Sequence, residues 1–240
     1  MPFMNAEEGK RINKYLSEAG FCSRREADRL VAAGRVNIDG MIPSAGQRVL
    51  PGQIVTVDGE VIKPGQEKVI LVFNKPLGVE CTTAADNPDN IVDYIGFPRR
   101  IYPVGRLDKN STGLILLTND GSIVNRILKA RNYHEKEYVV EIDSPMSPEE
   151  LSSFASGVDI GDAVTRECVI RQEGRRTYRI ILTQGYNRQI RRMFEAFGRK
   201  VISLHRIRIM SIKLGDLKPG KYRILEGDEL KELMQLLKDD

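Results

Sequence analysis

The chain has 240 residues and a formal net charge of +4, and 41% of its residues are hydrophobic and 29% charged. This composition is typical of a globular protein with a substantial core, and no apolar run approaches the roughly 20 residues that a membrane span needs. The first residues lack the apolar stretch of a secretory signal, so we expect a cytoplasmic protein with no membrane partner.

The cysteines and histidines are few and widely separated in the sequence. Cys22, Cys81 and Cys168 fit neither a disulfide framework nor the spacing of a metal site. With His134 and His205 as the two histidines, a zinc site would need scattered side chains to converge. The sequence therefore predicts no bound metal and a reducing compartment.

Residues 10–58 have the pattern of a separate small domain. Two apolar stripes at helical spacing, within residues 12–19 and 27–31, predict two short helices. Ser23-Arg24-Arg25-Glu26 has the pattern of a capping box at the start of the second helix. Strand-like segments and turns follow, and residues 59–67, with Pro and Gly, are the predicted linker.

The two predicted helices carry basic residues outside their apolar stripes. A cationic face of this kind can lie against a phosphate backbone and position the protein on it. For any single residue, an ordinary solubilising role is the alternative. The candidate RNA-binding residues are Lys10, Arg11, Lys14, Arg24, Arg25 and Arg29.

Strand and helix patterns are interleaved irregularly over residues 68–240, which predicts an α+β domain with a largely antiparallel sheet. Residues 215–221 match the GxxxxGK phosphate-loop pattern, but Tyr222 stands where that loop needs Ser or Thr, so we interpret them as a turn. The predicted strands cover residues 69–73, 138–142, 178–183, 201–204 and 209–214, and the predicted helices cover 122–130, 147–156, 187–197 and 228–238.

The stretch VGRLDKNSTGLILLTNDG, residues 104–121, contains a candidate catalytic carboxylate. Asp108 precedes a turn-rich segment and the apolar run at 114–117, which has the pattern of a buried strand. Aspartates often occupy such turns for structural reasons alone. The neighbouring Arg106 favours a second interpretation, because an adjacent arginine keeps a carboxylate ionised for nucleophilic or base chemistry.

Residues 175–208 contain ten arginines and lysines but one acid, Glu195. A local field of this sign suits a polyanion such as nucleic acid. A solvated basic face without a partner is the alternative. We favour the polyanion because a second basic cluster occurs independently near the N-terminus.

Four motifs, in this order, resemble those of the ribosomal RNA pseudouridine synthases: GRLD at 105–108, KEY at 136–138, NRQIRRM at 187–193 and LHRIRI at 204–209. The N-terminal module is similar to the S4-like RNA-binding domain found in one branch of that family. The resemblance covers nearly the whole chain. It implies an S4-like domain followed by an α+β pseudouridine synthase domain, a monomer that needs neither a metal nor an organic cofactor.

The resemblance also implies a role for each motif. Asp108 matches the catalytic aspartate, and Arg191 matches the basic residue that pairs with it. Tyr138 matches the aromatic that stacks on the flipped uracil, Leu204 the apolar wall of the pocket, and Arg106 the residue that fills the space left by the uridine. Phosphate contacts are expected for the remaining basic residues of these motifs, Arg188, Arg192, Arg206 and Arg208.

The expected reaction isomerises a single uridine to pseudouridine after the base is flipped out of its stack. RILKARNYHEKEY and NRQIRRMFEAFG are most similar to the large-subunit branch, so we expect a target in 23S ribosomal RNA, in a stem-loop or junction. Small-subunit (16S) ribosomal RNA or tRNA is the alternative substrate. A non-catalytic ribosome-assembly factor is a further alternative, although such a protein would be expected to lose one of Asp108, Tyr138 and Arg191. Glycoside hydrolysis would need two flanking carboxylates, whereas Asp120 has the setting of a turn residue.

Overall fold

The protein is described by a computed structural model that covers residues 9–63, 65 and 67–238. It contains two compact units: a small unit up to Lys68 with Pro98–Arg100, and a large unit of Val69–Phe97 and the residues from Ile101 onward. Pro64 and Gln66 of the predicted linker, and residues 239–240 of the predicted second domain, lie outside the described residues. None of the helices in these described ranges combines the length and the apolar character that a membrane crossing requires.

The small unit packs two helices against short strands. A three-stranded antiparallel sheet has the order β2-β4-β5, and β1 pairs with β3. Residues 60 and 61 form β5 and pair with β4, so the linker prediction is wrong for these two residues. The elements are β1 (Lys10–Arg11), α1 (Ile12–Glu18), α2 (Arg24–Ala32), β2 (Val36–Ile38), β3 (Arg48–Val49), β4 (Val55–Val57) and β5 (Glu60–Val61).

Helices α1 and α2 bury the apolar stripes that the sequence shows. Ile12, Leu16 and Leu30 lie in one core cluster with residues of the strands. The Ser23 hydroxyl accepts a hydrogen bond from the Glu26 amide at 3.1 Å and so caps α2. The Glu26 carboxylate, which a full capping box would place on the Ser23 amide, pairs with Arg29 at 3.2 Å.

The large unit is built on a nine-stranded sheet with the order β10-β11-β9-β12-β8-β6-β14, to which β7 and β13 add at β8 and β12. In the described chain, every pairing of this sheet is antiparallel except the short parallel pairing of β8 with β12. This confirms the predicted α+β class. The elements are β6 (Ile70–Lys75), α3 (Ile91–Ile95), β7 (Tyr102–Val104), β8 (Thr112–Thr118), α4 (Gly121–Leu128), a 3-10 turn (Ala130–Asn132), β9 (Lys136–Ile142), α5 (Pro148–Ala155), β10 (Val169–Gln172), β11 (Thr177–Leu182), α6 (Gln189–Glu195), β12 (Val201–Ile209), β13 (Ile212–Lys213), β14 (Tyr222–Ile224) and α7 (Gly227–Leu236).

Strand β8 is buried on both faces at the centre of this sheet. Ile115 and Leu117 belong to one core cluster, to which α5 and α6 contribute, and Leu114 and Leu116 belong to a second cluster formed with α4 and α7. Because successive side chains of a strand point to opposite faces, burial of both faces requires a continuous apolar run. The predicted buried strand at 114–117 is thus confirmed.

Strand β12 is longer than the sequence pattern suggests. The prediction of separate strands at 201–204 and 209–214 is wrong, because β12 runs without a break from Val201 to Ile209 and a turn at Met210 leads into β13. Arg206 and Arg208 interrupt the apolar pattern, yet both lie within the strand. The structure accommodates Arg206 by a hydrogen bond from its Nε to the Leu114 carbonyl at 2.7 Å.

Candidate active site

A cleft of about 430 Å³ lies in the large unit, next to the parallel junction of β8 and β12. Its walls come from the segment that follows β7, from α4, β9 and β12, and from the loop between β11 and α6. Arg191 lies behind this wall and reaches Asp108, as described below. The predicted site residues on the wall itself are Arg106, Asp108, Tyr138, Arg188, Leu204 and Arg206.

Asp108 occupies the loop between β7 and β8, and local hydrogen bonds hold its backbone. The Asp108 carbonyl accepts the amide of Ser111 at 3.0 Å, which closes a turn into β8. The preceding amide, of Leu107, donates to the Cys81 sulfur at 3.3 Å. The Asp108 side chain is 31% exposed and faces the cleft. The carboxylate is therefore open to a ligand while its backbone is held in place.

A buried lysine that the sequence did not single out supports this loop. Lys75, at the end of β6, is fully buried, and burial lowers the pKa of its ammonium. Its Nζ donates to the carbonyls of Val79 at 2.7 Å, Pro76 at 3.0 Å and Lys109 at 3.4 Å. The residue next to Asp108 is thus tied to the turn after β6. A lysine that follows the apolar run at 70–73 by two residues, just before Pro-Leu-Gly, was the available signal.

Arg191 is the cationic partner of Asp108, and its guanidinium is almost completely buried. Nη2 donates to the Asn110 carbonyl at 2.8 Å and to the Ser111 hydroxyl at 3.2 Å, and Nη1 donates to the Val201 carbonyl at 3.2 Å. Nε has no hydrogen-bond partner within the described residues and lies 3.9 Å from Oδ2 of Asp108. A closer approach of the carboxylate by ~1 Å would form a charge-assisted hydrogen bond.

Tyr138 and Leu204 each belong to the core and to the cleft wall. Tyr138 lies on β9 opposite Arg206 of β12, whose guanidinium carbon is 5.9 Å from the centre of the tyrosine ring. Leu204 is two residues earlier on β12. An aromatic ring and an aliphatic side chain therefore border the space in front of Asp108.

The remaining basic residues of the large unit fall into two groups. Arg106 and Arg188 are exposed, and both also line an adjoining cleft of about 700 Å³. Arg192 donates to the Ile160 carbonyl and pairs with Asp162. Arg206 is 3% exposed and its Nε donates to the Leu114 carbonyl, so the phosphate contacts predicted for it and for Arg192 are corrected here.

Arg208 requires the same correction. Its Nε pairs with Glu137 at 2.5 Å and its Nη2 pairs with Glu135 at 2.8 Å. A third donor, Nη1, reaches the Met210 carbonyl at 2.8 Å. These contacts fix the end of β12 against β9, which is a structural role rather than the predicted contact with phosphate.

The basic residues of the small unit also differ in their surroundings. Lys10 and Lys14 share Glu18, at 2.7 and 3.6 Å, and Arg29 pairs with Glu26. Three exposed arginines of this unit have no carboxylate partner among the described residues. They are Arg11, Arg24 and Arg25.

The thiols and carboxylates of the described residues are too scattered to form a cluster of metal ligands. Within the described ranges, no group of three or more His, Cys, Asp or Glu side chains could hold a metal ion. Cys22, Cys81 and Cys168 are free. Burial raises the pKa of Cys168 to about 11 and also raises that of Cys81, so both remain protonated at neutral pH.

Asp108 thus lies beside a buried arginine and faces an aromatic and an aliphatic side chain, with exposed arginines nearby. A sequence profile for RNA pseudouridylate synthases matches residues 69–196, and a profile for the S4 domain matches residues 10–55. The chain belongs to the RNA pseudouridylate synthase family, in a form with an N-terminal S4 domain. The resemblance seen in the sequence, and the enzyme class it implied, are thus confirmed.

Several relatives are similar over nearly the whole chain. The chain is 45% identical to the dual-specificity RNA pseudouridine synthase RluF of Escherichia coli (strain K12), over 98% of this chain and 82% of that protein. An uncharacterized RNA pseudouridine synthase of Aquifex aeolicus (strain VF5) is 40% identical over 94% of both chains. The ribosomal small subunit pseudouridine synthase A of Escherichia coli (strain K12) is 33% identical over 92% of this chain and 98% of that protein. A crystal structure of a pseudouridylate synthase superposes with a TM-score of 0.68 at 28% identity, over 94% of this chain and 99% of that one.

Proposed function

We propose that the protein converts one uridine of 23S ribosomal RNA to pseudouridine, with Asp108 as its essential group. The observation that carries this proposal is the placement of Asp108 3.9 Å from the buried Arg191, on a cleft that Tyr138 and Leu204 also line. The relative whose name specifies the small subunit is 33% identical, below the 45% of the dual-specificity relative, which counts against a small-subunit substrate. The words dual-specificity in that name describe more than one RNA specificity for that relative, so 16S ribosomal RNA and tRNA stay as alternative substrates.

The cleft can hold a uracil only if the base leaves its stack. Unstacking costs a few kcal/mol, and stacking on an aromatic side chain returns about 1–3 kcal/mol per base. Tyr138 supplies the ring in this proposal, and Leu204 the wall that confines the base. Arg106 fills the space that the uridine leaves, and Arg188 contacts the phosphate backbone at the same edge of the cleft.

Asp108 then acts on the flipped nucleotide as a carboxylate. Arg191 places a positive charge beside it and orients it, so that it can attack the nucleotide or take a proton from the sugar. In the net reaction the N1–C1′ bond breaks and a C5–C1′ bond forms, while C5 loses its proton and N1 gains one. The atoms balance without an oxidant, a reductant or a group donor, so the proposed reaction uses no cofactor.

The small unit contributes positioning in this proposal. Arg11, Arg24 and Arg25 are exposed and free of carboxylate partners among the described residues, so they can contact phosphates of a stem-loop or junction near the target. We place the enzyme in the cytoplasm, where it works as a monomer on ribosomal RNA.

The target is tested by exposing unmodified 23S, 16S and tRNA transcripts to the purified protein. Pseudouridine is mapped by a chemical adduct that stops primer extension, with the Asp108→Asn variant as the inactive control. One new stop in 23S RNA supports the proposal. A stop confined to 16S RNA or tRNA would refute the substrate but keep the reaction, and no stop in any RNA that the protein binds would refute both.

Replacing Arg24 and Arg25 together with alanine is expected to weaken RNA binding without slowing catalysis at saturating RNA. Each lost phosphate contact lowers the slope of log affinity against log salt concentration by about 0.7–0.9. Filter binding over a salt series measures this slope. Arg35→Ala is the matched control, because Arg35 is an exposed arginine of the same unit that pairs with Asp58. Equal slopes for the double variant and wild type would exclude these phosphate contacts.

Replacing Arg191 with lysine is expected to slow the chemical step by roughly 10²-fold, because misplacement of a reacting group by 1 Å has an effect of that size. The donors of an ammonium diverge from one nitrogen, whereas Arg191 reaches Val201 from Nη1 and Asn110 and Ser111 from Nη2. A lysine at this position cannot reproduce these directions, so Asp108 loses its fixed partner. The single-turnover rate of pseudouridine formation measures the loss. Arg199→Lys is the control, since Arg199 is a paired arginine of the same unit that contacts Glu150. A rate for Arg191→Lys equal to that of the control would mean that a positive charge at this position is enough for the chemical step, whatever its hydrogen bonds.

A further inference from the structure

Lys136 lies on the cleft wall and has no role in the steps above. It is the first residue of β9, two positions before Tyr138, so both side chains leave the same face of the strand. Its side chain is half-buried and lines the same cleft as Asp108. Among the described residues, its ammonium has neither a hydrogen-bond partner nor an ion-pair partner. A cation of this kind is costly to bury unless something compensates its charge.

The surroundings of Lys136 offer no such compensation. Its cross-strand neighbours are Leu182 of β11 and Ile209 of β12, and Leu128 of α4 also borders the cleft. Burial, together with the positive charge of Arg206, lowers the pKa of Lys136 to about 8. The titratable and charged groups that share this cleft are Arg106, Asp108, Tyr138, Tyr186, Arg188 and Arg206.

Asp108 is the sole carboxylate among the described residues of the cleft, and it faces Arg191. Arg206 adds a second unneutralised cation beside Tyr138, because its Nη2 is buried without a hydrogen-bond partner in the described chain. This wall therefore carries positive charge that no group among the described residues balances. The excess predicts that negative charge arises in the cleft from the substrate.

The chemistry supplies that charge on the uracil ring. When the N1–C1′ bond breaks, its electron pair stays with the base and spreads onto O2 and O4. If Asp108 instead adds to C6, the charge moves onto O4. Each route therefore places developing negative charge on the carbonyl edge of the ring, where a desolvated cation stabilises the transition state. The phosphates of the strand already have an exposed partner, in Arg188.

We propose that Lys136 is a further catalytic residue: its ammonium lies beside the carbonyl edge of the uracil that stacks on Tyr138, and it stabilises the charge that this ring gains in the reaction. Lys136 donates a hydrogen bond and keeps its proton. The electron pair from the broken N1–C1′ bond then serves the new C5–C1′ bond, after which C5 loses its proton to solvent and N1 takes one. This inference rests on the proposed function.

The test uses the full chain and the RNA in which mapping finds pseudouridine, labelled with tritium at C5 of its uridines. Release of tritium reports the reaction, because C5 loses its hydrogen. We expect Lys136→Met to lower the single-turnover rate at saturating enzyme by roughly 10²-fold, with a dissociation constant within about twofold of wild type. Lys213→Met is the control, since Lys213 is exposed and outside the cleft.

The pH dependence gives a readout that a purely structural role would not move. The protonated ammonium is the active form, so the wild-type rate is expected to be full below pH 8 and to fall as the pH rises through about 8. In Lys136→Arg this fall is expected to disappear, because a guanidinium stays charged throughout this range. If the thermal transition shows that Lys136→Met does not fold, the pH dependence of Lys136→Arg still tests the role of Lys136.

The outcomes that overturn the inference differ from those that overturn the proposed function. A normal rate for Lys136→Met, or an affinity loss with an unchanged rate at saturation, would exclude stabilisation of charge on the ring. An alkaline fall that persists in Lys136→Arg would exclude Lys136 as the titrating group. Wild-type protein that releases no tritium from any RNA would refute the proposed function, and this inference with it.

Discussion

Replacing Asp108 with asparagine is expected to abolish pseudouridine formation while the fold and the RNA affinity remain. The change removes the negative charge and alters the side-chain volume very little. Since the side chain is 31% exposed and its nearest cationic contact is the 3.9 Å approach of Arg191, little folding energy depends on it. An amide can act neither as the nucleophile nor as the base, so the single-turnover rate should fall by about 10⁴-fold or more.

Tritium release at saturating enzyme measures this rate, and filter binding checks the affinity. Asp228→Asn is the matched control, because Asp228 is an exposed aspartate of α7 that pairs with Lys231, and it should react as wild type does. If Asp108→Asn retained a rate within about tenfold of wild type, Asp108 would be a turn residue and another group would carry the chemistry.

Replacing Gly113 with alanine is expected to produce the largest loss of stability in the large unit. Gly113 pairs with Arg206 across the parallel junction of β8 and β12, and its φ of 101° lies where other residues are strained. A Cβ at this position would lie 2.2 Å from the Arg206 carbonyl oxygen and 2.7 Å from its amide nitrogen. Backbone on both sides has to move, so the free energy of unfolding should fall by roughly 4 kcal/mol.

Thermal unfolding measures this effect, and we expect the midpoint of the large unit to fall by roughly 10 °C. Two controls separate its causes. Gly161→Ala tests the backbone angle alone, because Gly161 has a φ of 94° and open space around it, and should cost about 1 kcal/mol. Gly174→Ala meets ordinary contacts with Thr177 at 3.5 Å and should be nearly neutral. A midpoint for Gly113→Ala equal to that of Gly161→Ala would mean that the strands separate without cost.

The elements that could be predicted from the sequence are those with a local cause. The apolar run at 114–117 indicates a strand buried on both faces, and Ser23 with Glu26 marks the start of α2. The position of Arg206 has no such local cause. A charged residue looks like a surface residue until its partners are known, and the Leu114 carbonyl that accepts the hydrogen bond of Arg206 lies 92 residues away.

In the candidate site, too, the sequence predicts the features with a local cause and misses those that depend on distant residues. The motifs place Asp108 in a turn before β8, and the resemblance connects it with Arg191, Tyr138 and Leu204. Neither indicates that Nε of Arg191 lacks a partner, or that Lys136 shares the cleft wall with an uncompensated Arg206. Those features depend on how β9 and β12 lie beside the loop after β7, which spacing along the chain does not encode.

The parallel junction of β8 and β12 also has a consequence for folding during synthesis on the ribosome. The atoms that hold the Asp108 loop come from Arg191, bonded to Asn110 across 81 residues, and from Arg206, bonded to Leu114 across 92 residues. Contacts of such high sequence separation form late and slow folding. A nascent chain emerges N-terminus first, so its S4 domain leaves the ribosome early, whereas the cleft cannot assemble until residues to Ile209 have been released. The cleft is therefore completed only near the end of synthesis.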